Sequence, residues 1–147
     1  MPRLAGPDAR ALFAGARTAT LGSTGADGRP HLVPCVFAVD GDQVYSAVDG
    51  KPKTTRQLRR LANITARPGV SLLADHYEDD WRALWWVRAD GTGRVLDPAD
   101  REARDGIARL VERYPQYRDR PPAGPVLAVD VERWTGWTGL PDCPDDR

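Results

Sequence analysis

Lysine is almost missing from this chain. Of its 21 basic residues, all but Lys51 and Lys53 are arginines. Cysteine and histidine are also scarce, two of each. Cys35 and Cys143 stand far apart, one on an expected strand and one in a Pro/Asp tail, which argues against a disulfide scaffold and for a reducing interior. His31 and His76 share no metal-ligand spacing with the cysteines, which argues against a zinc site. Net charge is absent as well. The 21 acidic residues balance the 21 basic ones, so no overall field draws the protein to nucleic acid or to an anionic membrane. No apolar run approaches membrane-spanning length, and MPRLAGPDAR lacks the apolar centre of a signal peptide. A cytoplasmic protein is expected. Nucleophile elbow, catalytic serine pattern and Cys-His pair are all missing.

What is present reads as one domain over residues 1–147, long enough for a real core, with a short flexible tail over 138–147. Residues 7–16 carry Ala9, Leu12, Phe13 and Ala16 at helical spacing. A strand over 18–21 leads to the turn 23–29, where Asp27-Gly28 signals a hairpin. A strand over 30–39 follows, and Pro34 inside it implies an edge, a bulge or a broken ladder. Asp40-Gly41-Asp42 is a second turn, before a strand over 43–48. These three strands predict an antiparallel meander. After a helix and the breaker 66–69 come a strand over 70–74 and an acidic loop over 75–80. Residues 81–96 read as one long strand, or two broken near Asp90-Gly91. Asp97 as N-cap and Pro98 open a helix with the stripe Ala99, Ala103, Ile107, Leu110, Val111 and Tyr114, which Pro115 ends. A Pro-rich loop over 118–125 precedes the last strand, 126–134. The sum is mainly β (α+β): an antiparallel barrel of six or so strands with about three flanking helices.

The two lysines fall in GKPKTTRQLRRLAN, residues 50–63. Thr54 and Gln57 have capping-box spacing, and Leu58, Leu61 and Ala62 give one apolar face. Strand, tight turn, two lysines and helix start thus follow in order. A helix N-terminus favours an anion, and an ammonium is a compact point charge suited to phosphate. The same stretch also describes a solvated, positively charged helix start, and it lacks Walker-loop spacing. Arg56, Arg59 and Arg60 could be read as a nucleic-acid contact, but the neutral charge balance and the lack of a recognised module oppose that.

His31 on its strand reads as a half-buried histidine with no visible orienting partner. His76 sits among Asp75, Glu78, Asp79 and Asp80, a solvated loop without EF-hand spacing. Trp81, Trp85, Trp86, Trp134 and Trp137 all lie in the second half. Trp85 and Trp86, adjacent on a strand, must point to opposite faces. One fills the barrel; the other needs a partner surface or a planar ligand.

The order of elements, with ATLGSTGADGRPHLVPCVF, KPKTTRQLRRLAN, RPGVSLLADHY and LWWVRADGTGRVL, resembles the split β-barrel flavin and deazaflavin oxidoreductases related to pyridoxamine 5′-phosphate oxidase. It is most similar to the branch that uses the deazaflavin coenzyme F420, on the basic-x-Lys-Thr arrangement before a helix. The resemblance implies a homodimer with cofactor sites at the subunit interface, a small-molecule substrate, and hydride transfer between the deazaflavin and an organic acceptor; FMN is the alternative cofactor. By position, Lys51, Lys53 and Thr54, with Pro52 between the lysines, would hold the phosphate. His31, Val33, Pro34, Val36, Ser46, Ala47 and Val48 would line the ring. Trp86, with Trp85, would approach from the second subunit, and Trp134 or Trp137 is a further candidate. The resemblance identifies no acid–base pair, because the cofactor carries the chemistry.

Overall fold

The computed structural model describes residues 3–47 and 55–139. Their order is β1 (Arg3–Leu4), α1 (Gly6–Gly15), β2 (Ala19–Thr24), β3 (Pro30–Cys35), β4 (Ala38–Asp40), β5 (Gln43–Ala47), α2 (Thr55–Ala66), β6 (Gly69–His76), a 3-10 turn (Trp81–Ala83), β7 (Trp85–Leu96), α3 (Arg101–Arg113), α4 (Gln116–Asp119) and β8 (Val126–Thr138). Ala19, Leu21 and Ser23 are buried along β2, and Val70, Leu72 and Ala74 along β6, with less buried residues between them. That period of two turns one face of each strand to the core.

All eight strands belong to one sheet, ordered β3-β2-β6-β7-β8-β5-β4, with β1 paired to β8. Laid flat, this seven-strand path would hold its end strands roughly 29 Å apart. Yet β3 ends at Cys35 and β4 begins at Ala38, and the three Cα steps between them span at most about 11 Å. The sheet therefore curls until its ends meet, and β3 and β4 do not pair: a barrel with an open seam. The long β7–β8 ladder runs from Trp85↔Thr138 to Leu96↔Val126 and shifts register between Asp90 and Gly91.

Leu21, Phe37, Val44, Leu72, Val87, Ala89 and Val129 are buried in one core cluster. Helix α1 adds Ala9 and Phe13, whose ring lies 4.6 Å from Phe37 and 5.4 Å from Trp134. Helix α2 adds Ile64, which sits so close to Gly93 that a Cβ there would lie 2.8 Å from it. Each large side chain fully buried in this way contributes roughly 1.5–3 kcal/mol.

The seam is fastened from α3. The Phe37 N–H donates to the Tyr114 hydroxyl at 3.1 Å. Arg113 donates to the Phe37 carbonyl at 2.9 Å and to the Ala16 carbonyl. With the Phe37 carbonyl already supplied, the one hydroxyl proton of Tyr114 is free for the Arg17 carbonyl, 2.9 Å away. The turn from β3 to β4 is thereby fixed to a helix more than seventy residues on.

Several expectations are corrected. The sheet has eight strands rather than six or so, and four helices flank it among the described residues. The expected strand over 30–39 is two strands at opposite ends of the sheet, so the meander is broken; Pro34 does lie on an edge, as expected, on the end strand β3, where a missing N–H is tolerated. Asp97 caps a turn rather than α3: its carboxylate accepts from the Ala99 N–H at 2.8 Å, and the helix begins after Asp100. Pro115 both ends α3 and leads into α4, which the Pro-rich composition concealed. Trp81 stands in the 3-10 turn, not in β7. β8 continues through Thr135, Gly136 and Trp137 because that segment pairs with β7 and β1. Among the α2 side chains described, Asn63 and Ile64 are buried and Leu61 is half-buried, whereas Ala62 is exposed. Thr54 lies outside the described residues.

Candidate functional site

At the seam, the end of β3, the end of β5, α2 and α4 enclose a cavity of about 290 Å³ lined by Thr18, Pro34, Cys35, Val36, Ser46, Ala47, Arg60 and Tyr117. Four of the expected ring-lining residues, Pro34, Val36, Ser46 and Ala47, are thus brought together. Their meeting follows from the curl, which sets the two ends of the sheet side by side. The Ser46 hydroxyl donates to the Val36 carbonyl at 2.8 Å, bridging the seam and committing its proton. Burial pushes the Cys35 thiol up to about 11, against the nearby Arg60 charge and the Ser46 hydroxyl. At neutral pH it is a protonated, inert wall and not a nucleophile. Among the described residues the cavity therefore offers a mixed lining, apolar at Pro34, Val36 and Ala47 and polar at Thr18, Ser46 and Tyr117, with one cation from Arg60.

Val48, Lys51, Pro52, Lys53 and Thr54 lie outside the described residues. The segment holding them connects β5 to α2, and both of those elements line this cavity.

The other expected residues are elsewhere. Val33 pairs with Leu21 and packs at the edge of the core. His31 lines a separate cavity with the β2–β3 hairpin and α2, because it stands at the hairpin end of β3, whereas Pro34 and Cys35 stand at the seam end. Trp85 and Trp86 border a third cavity, about 550 Å³, on the outer face of β2, β3, β6 and β7 together with Leu32, Leu73, His76 and Trp137. Trp85 packs against the core and stacks at 6.5 Å on His76, whose Nε2 is 2.5 Å from Glu78. Trp86 pairs across the sheet with Asp75 and Trp137, and the Arg88 guanidinium lies 5.8 Å from its ring centre.

Arg60, Cys35, Thr18 and Tyr117 were not anticipated as cavity residues. Arg60 was visible only as one member of a charged run, and nothing local marks which arginine of that run turns toward the seam.

A charged cluster braces β5 from outside the cavity. Arg94 donates to Asp130 at 2.9 and 3.0 Å and to Glu102 at 2.7 and 3.0 Å, and Tyr45 donates to Glu102 at 3.0 Å. The Arg94 hydrogen bond, opposed by burial and aided by Tyr45, holds the Glu102 carboxyl below its usual range. Such a carboxylate contributes stability that is full above the unfolded value, about 4.3, and is lost as pH falls through the lower folded one. Glu102→Gln should therefore flatten the acid limb of stability. Urea midpoints at about pH 3 and about pH 7 would differ less than in the parent; an identical difference would refute the assignment. Among the described residues no group of three or more metal-ligating side chains occurs, and no helix is long and apolar enough to cross a membrane.

The sequence profile of the family described as pyridoxamine 5′-phosphate oxidase matches residues 5–138. Among curated proteins no sequence matches. Among solved structures, a conserved hypothetical protein from Mycobacterium tuberculosis shares 20% identity at a TM-score of 0.73, over 92% of this chain and 86% of that one. A protein from Mesorhizobium loti described as FAD-binding shares 20% identity at a TM-score of 0.69, over 92% and 95%. HutZ of Vibrio cholerae, described as a heme storage protein, shares 17% identity at a TM-score of 0.68, over 90% and 92%. At these identities the likeness establishes the shared fold.

Proposed function

Since this chain belongs to the pyridoxamine 5′-phosphate oxidase family, we propose that it binds a flavin-type cofactor at the seam of its barrel and, as an oxidoreductase, uses the deazaflavin coenzyme F420 to reduce a small organic acceptor. One observation carries the reading. The seam cavity joins Pro34, Val36, Ser46 and Ala47 to Arg60, and the only two lysines of the chain lie in the segment linking its β5 and α2 walls.

The residues fit such a group. Pro34, Val36 and Ala47 give the cavity an apolar side for a planar ring, and Arg60 supplies a cation for an anionic substituent. Ser46 and Cys35 offer nothing that would compete as base or nucleophile. The cofactor supplies hydride chemistry when bound. The chain positions the ring, keeps water away and, through Lys51, Lys53 and Thr54, holds the phosphate.

Pro34 favours the deazaflavin over FMN. The central ring of a flavin carries a nitrogen that accepts a hydrogen bond, whereas the deazaflavin has a C–H there. Proline at this wall has no N–H to offer.

A homodimer completes the site in this reading. On the outer sheet face Leu32 is 68% and Leu73 is 41% exposed, beside Trp86 and Trp137. An apolar patch of this kind suits a second copy. Trp86→Ala should weaken dimerisation and cofactor binding together, read by sedimentation and titration; loss of neither would leave Trp86 as plain surface.

The deciding test titrates FMN and coenzyme F420 at equal concentration. The expected result is a colourless purified protein with the tighter affinity for the deazaflavin. A yellow protein carrying FMN would overturn the cofactor choice, and no binding of either would overturn the site. Binding without any reoxidation across enones, quinones and nitro compounds would reassign the protein as a cofactor carrier.

A further inference from the structure

The second half of α2 and the β2–β3 hairpin enclose a cavity of about 760 Å³ that shares no lining residue with the seam cavity. Its walls are Gly25, Ala26, Asp27, Arg29, Pro30, His31, Arg59, Ala62 and Asn63. Hydrogen bonds brace its hairpin wall. The Gly25 N–H donates to the Arg29 carbonyl at 2.9 Å, and the Gly28 N–H to the Gly25 carbonyl at 2.9 Å. Gly28 holds the positive φ of 81° that this turn requires. Arg67, just past α2, donates to the Ala26 carbonyl at 3.4 Å, tying the helix end to the hairpin.

Arg29 and Arg59 line this space, and neither is in an ion pair among the described residues. The one carboxylate of the lining, Asp27, accepts from the Arg29 backbone N–H at 3.0 Å, so the two guanidinium groups outnumber the carboxylates of the walls. Within the same lining, His31 Nδ1 is shielded from solvent and has no hydrogen-bond partner. Buried polar atoms are rarely left so. An orphaned lone pair is better tolerated than an orphaned N–H, so the imidazole proton belongs on Nε2, which is not shielded in this way. His31 thus offers an N–H donor in a cavity that Arg29 and Arg59 also line, as does Asn63, whose amide makes only a long 3.5 Å contact with Ser23.

We infer that this cavity binds an oxyanion with several acceptor oxygens, of the phosphate or dicarboxylate class. Two forked guanidinium groups match such a ligand bidentately. The anion is either a free metabolite or an acidic arm of the same cofactor that the seam is proposed to hold. The inference does not depend on that proposal, because inorganic phosphate alone tests it.

Calorimetric titration of the intact protein with inorganic phosphate, and separately with succinate, at constant ionic strength should show saturable binding by at least one. Affinity should fall about tenfold for each of Arg29→Ala and Arg59→Ala. Both arginines are exposed, so thermal unfolding without the anion should be unchanged. The stabilisation that the anion gives the parent should disappear in the double variant. Repeating the titration with saturating cofactor separates the sources: unchanged affinity marks a free anion, and competition marks the cofactor's own arm. No saturable binding of either probe, or equal affinity in parent and double variant, would overturn the inference whatever the flavin titration shows.

Discussion

Gly91→Ala should destabilise the protein by roughly 3 kcal/mol or more, the upper range for forcing atoms into a packed interior, and lower the melting temperature by about 6–12 °C for a chain of this size. Gly91 sits at the register shift between β7 and β8. A Cβ there would lie 2.2 Å from the Asp130 carbonyl oxygen and 2.9 Å from its carbon. Both are backbone atoms, so no rotamer change relieves the clash; the strands must part. The displaced residue is also the one whose carboxylate holds Arg94 at 2.9 and 3.0 Å, and Arg94 in turn holds Glu102 on α3. The disturbance should therefore reach β5 and the seam cavity. Gly69→Ala is the control: nothing lies within 4 Å of its Cβ, and its φ is not positive. That change should be neutral or slightly stabilising through the unfolded chain. Equal melting temperatures for the two variants would show that β7 and β8 are not held as closely as described.

Local signals were legible where the chain itself decides the structure. The Asp27-Gly28 and Asp40-Gly41-Asp42 turns form where expected, and Gly28 and Gly41 have the positive φ values, 81° and 59°, that hairpins demand. The alternation expected to part Trp85 from Trp86 is only partial: Trp85 packs against the core, yet both border the outer-face cavity. What the chain does not decide locally was illegible. Residues 30–39 contain no strong breaker between Cys35 and Ala38, because the split there serves the closure of a sheet whose partners lie far away in sequence. Tyr114 and Arg113 read as a helix end, yet their hydroxyl and guanidinium secure Phe37. His31 and Pro34 read as one lining, but they stand toward opposite ends of β3 and border different cavities. Arg59 and Arg60, neighbours in one charged run, likewise border separate cavities.

Lys51→Ala combined with Lys53→Ala should weaken cofactor affinity about 30- to 1,000-fold, or about 2–4 kcal/mol. Each charge-assisted bond contributes about 1.5–3 kcal/mol before non-additivity. The chain reaches this segment from Ala47 and leaves it at Thr55, at the head of the helix that carries Arg60. On the proposed reading, the grip of this segment on the anion would set where the attached ring can lie. Restoring both positions as arginine should recover part of the affinity, since charge returns but the compact ammonium does not. Arg60→Ala should cost less, because one cation is lost instead of two. Unfolding of the lysine double variant without cofactor should match the parent. Inorganic phosphate should bind it as before if His31, Arg29 and Arg59 form an independent site. Loss of cofactor affinity with phosphate binding intact would separate the two anion sites in one experiment. Unchanged cofactor affinity would remove the phosphate role of the lysines and leave the seam cavity without its clamp.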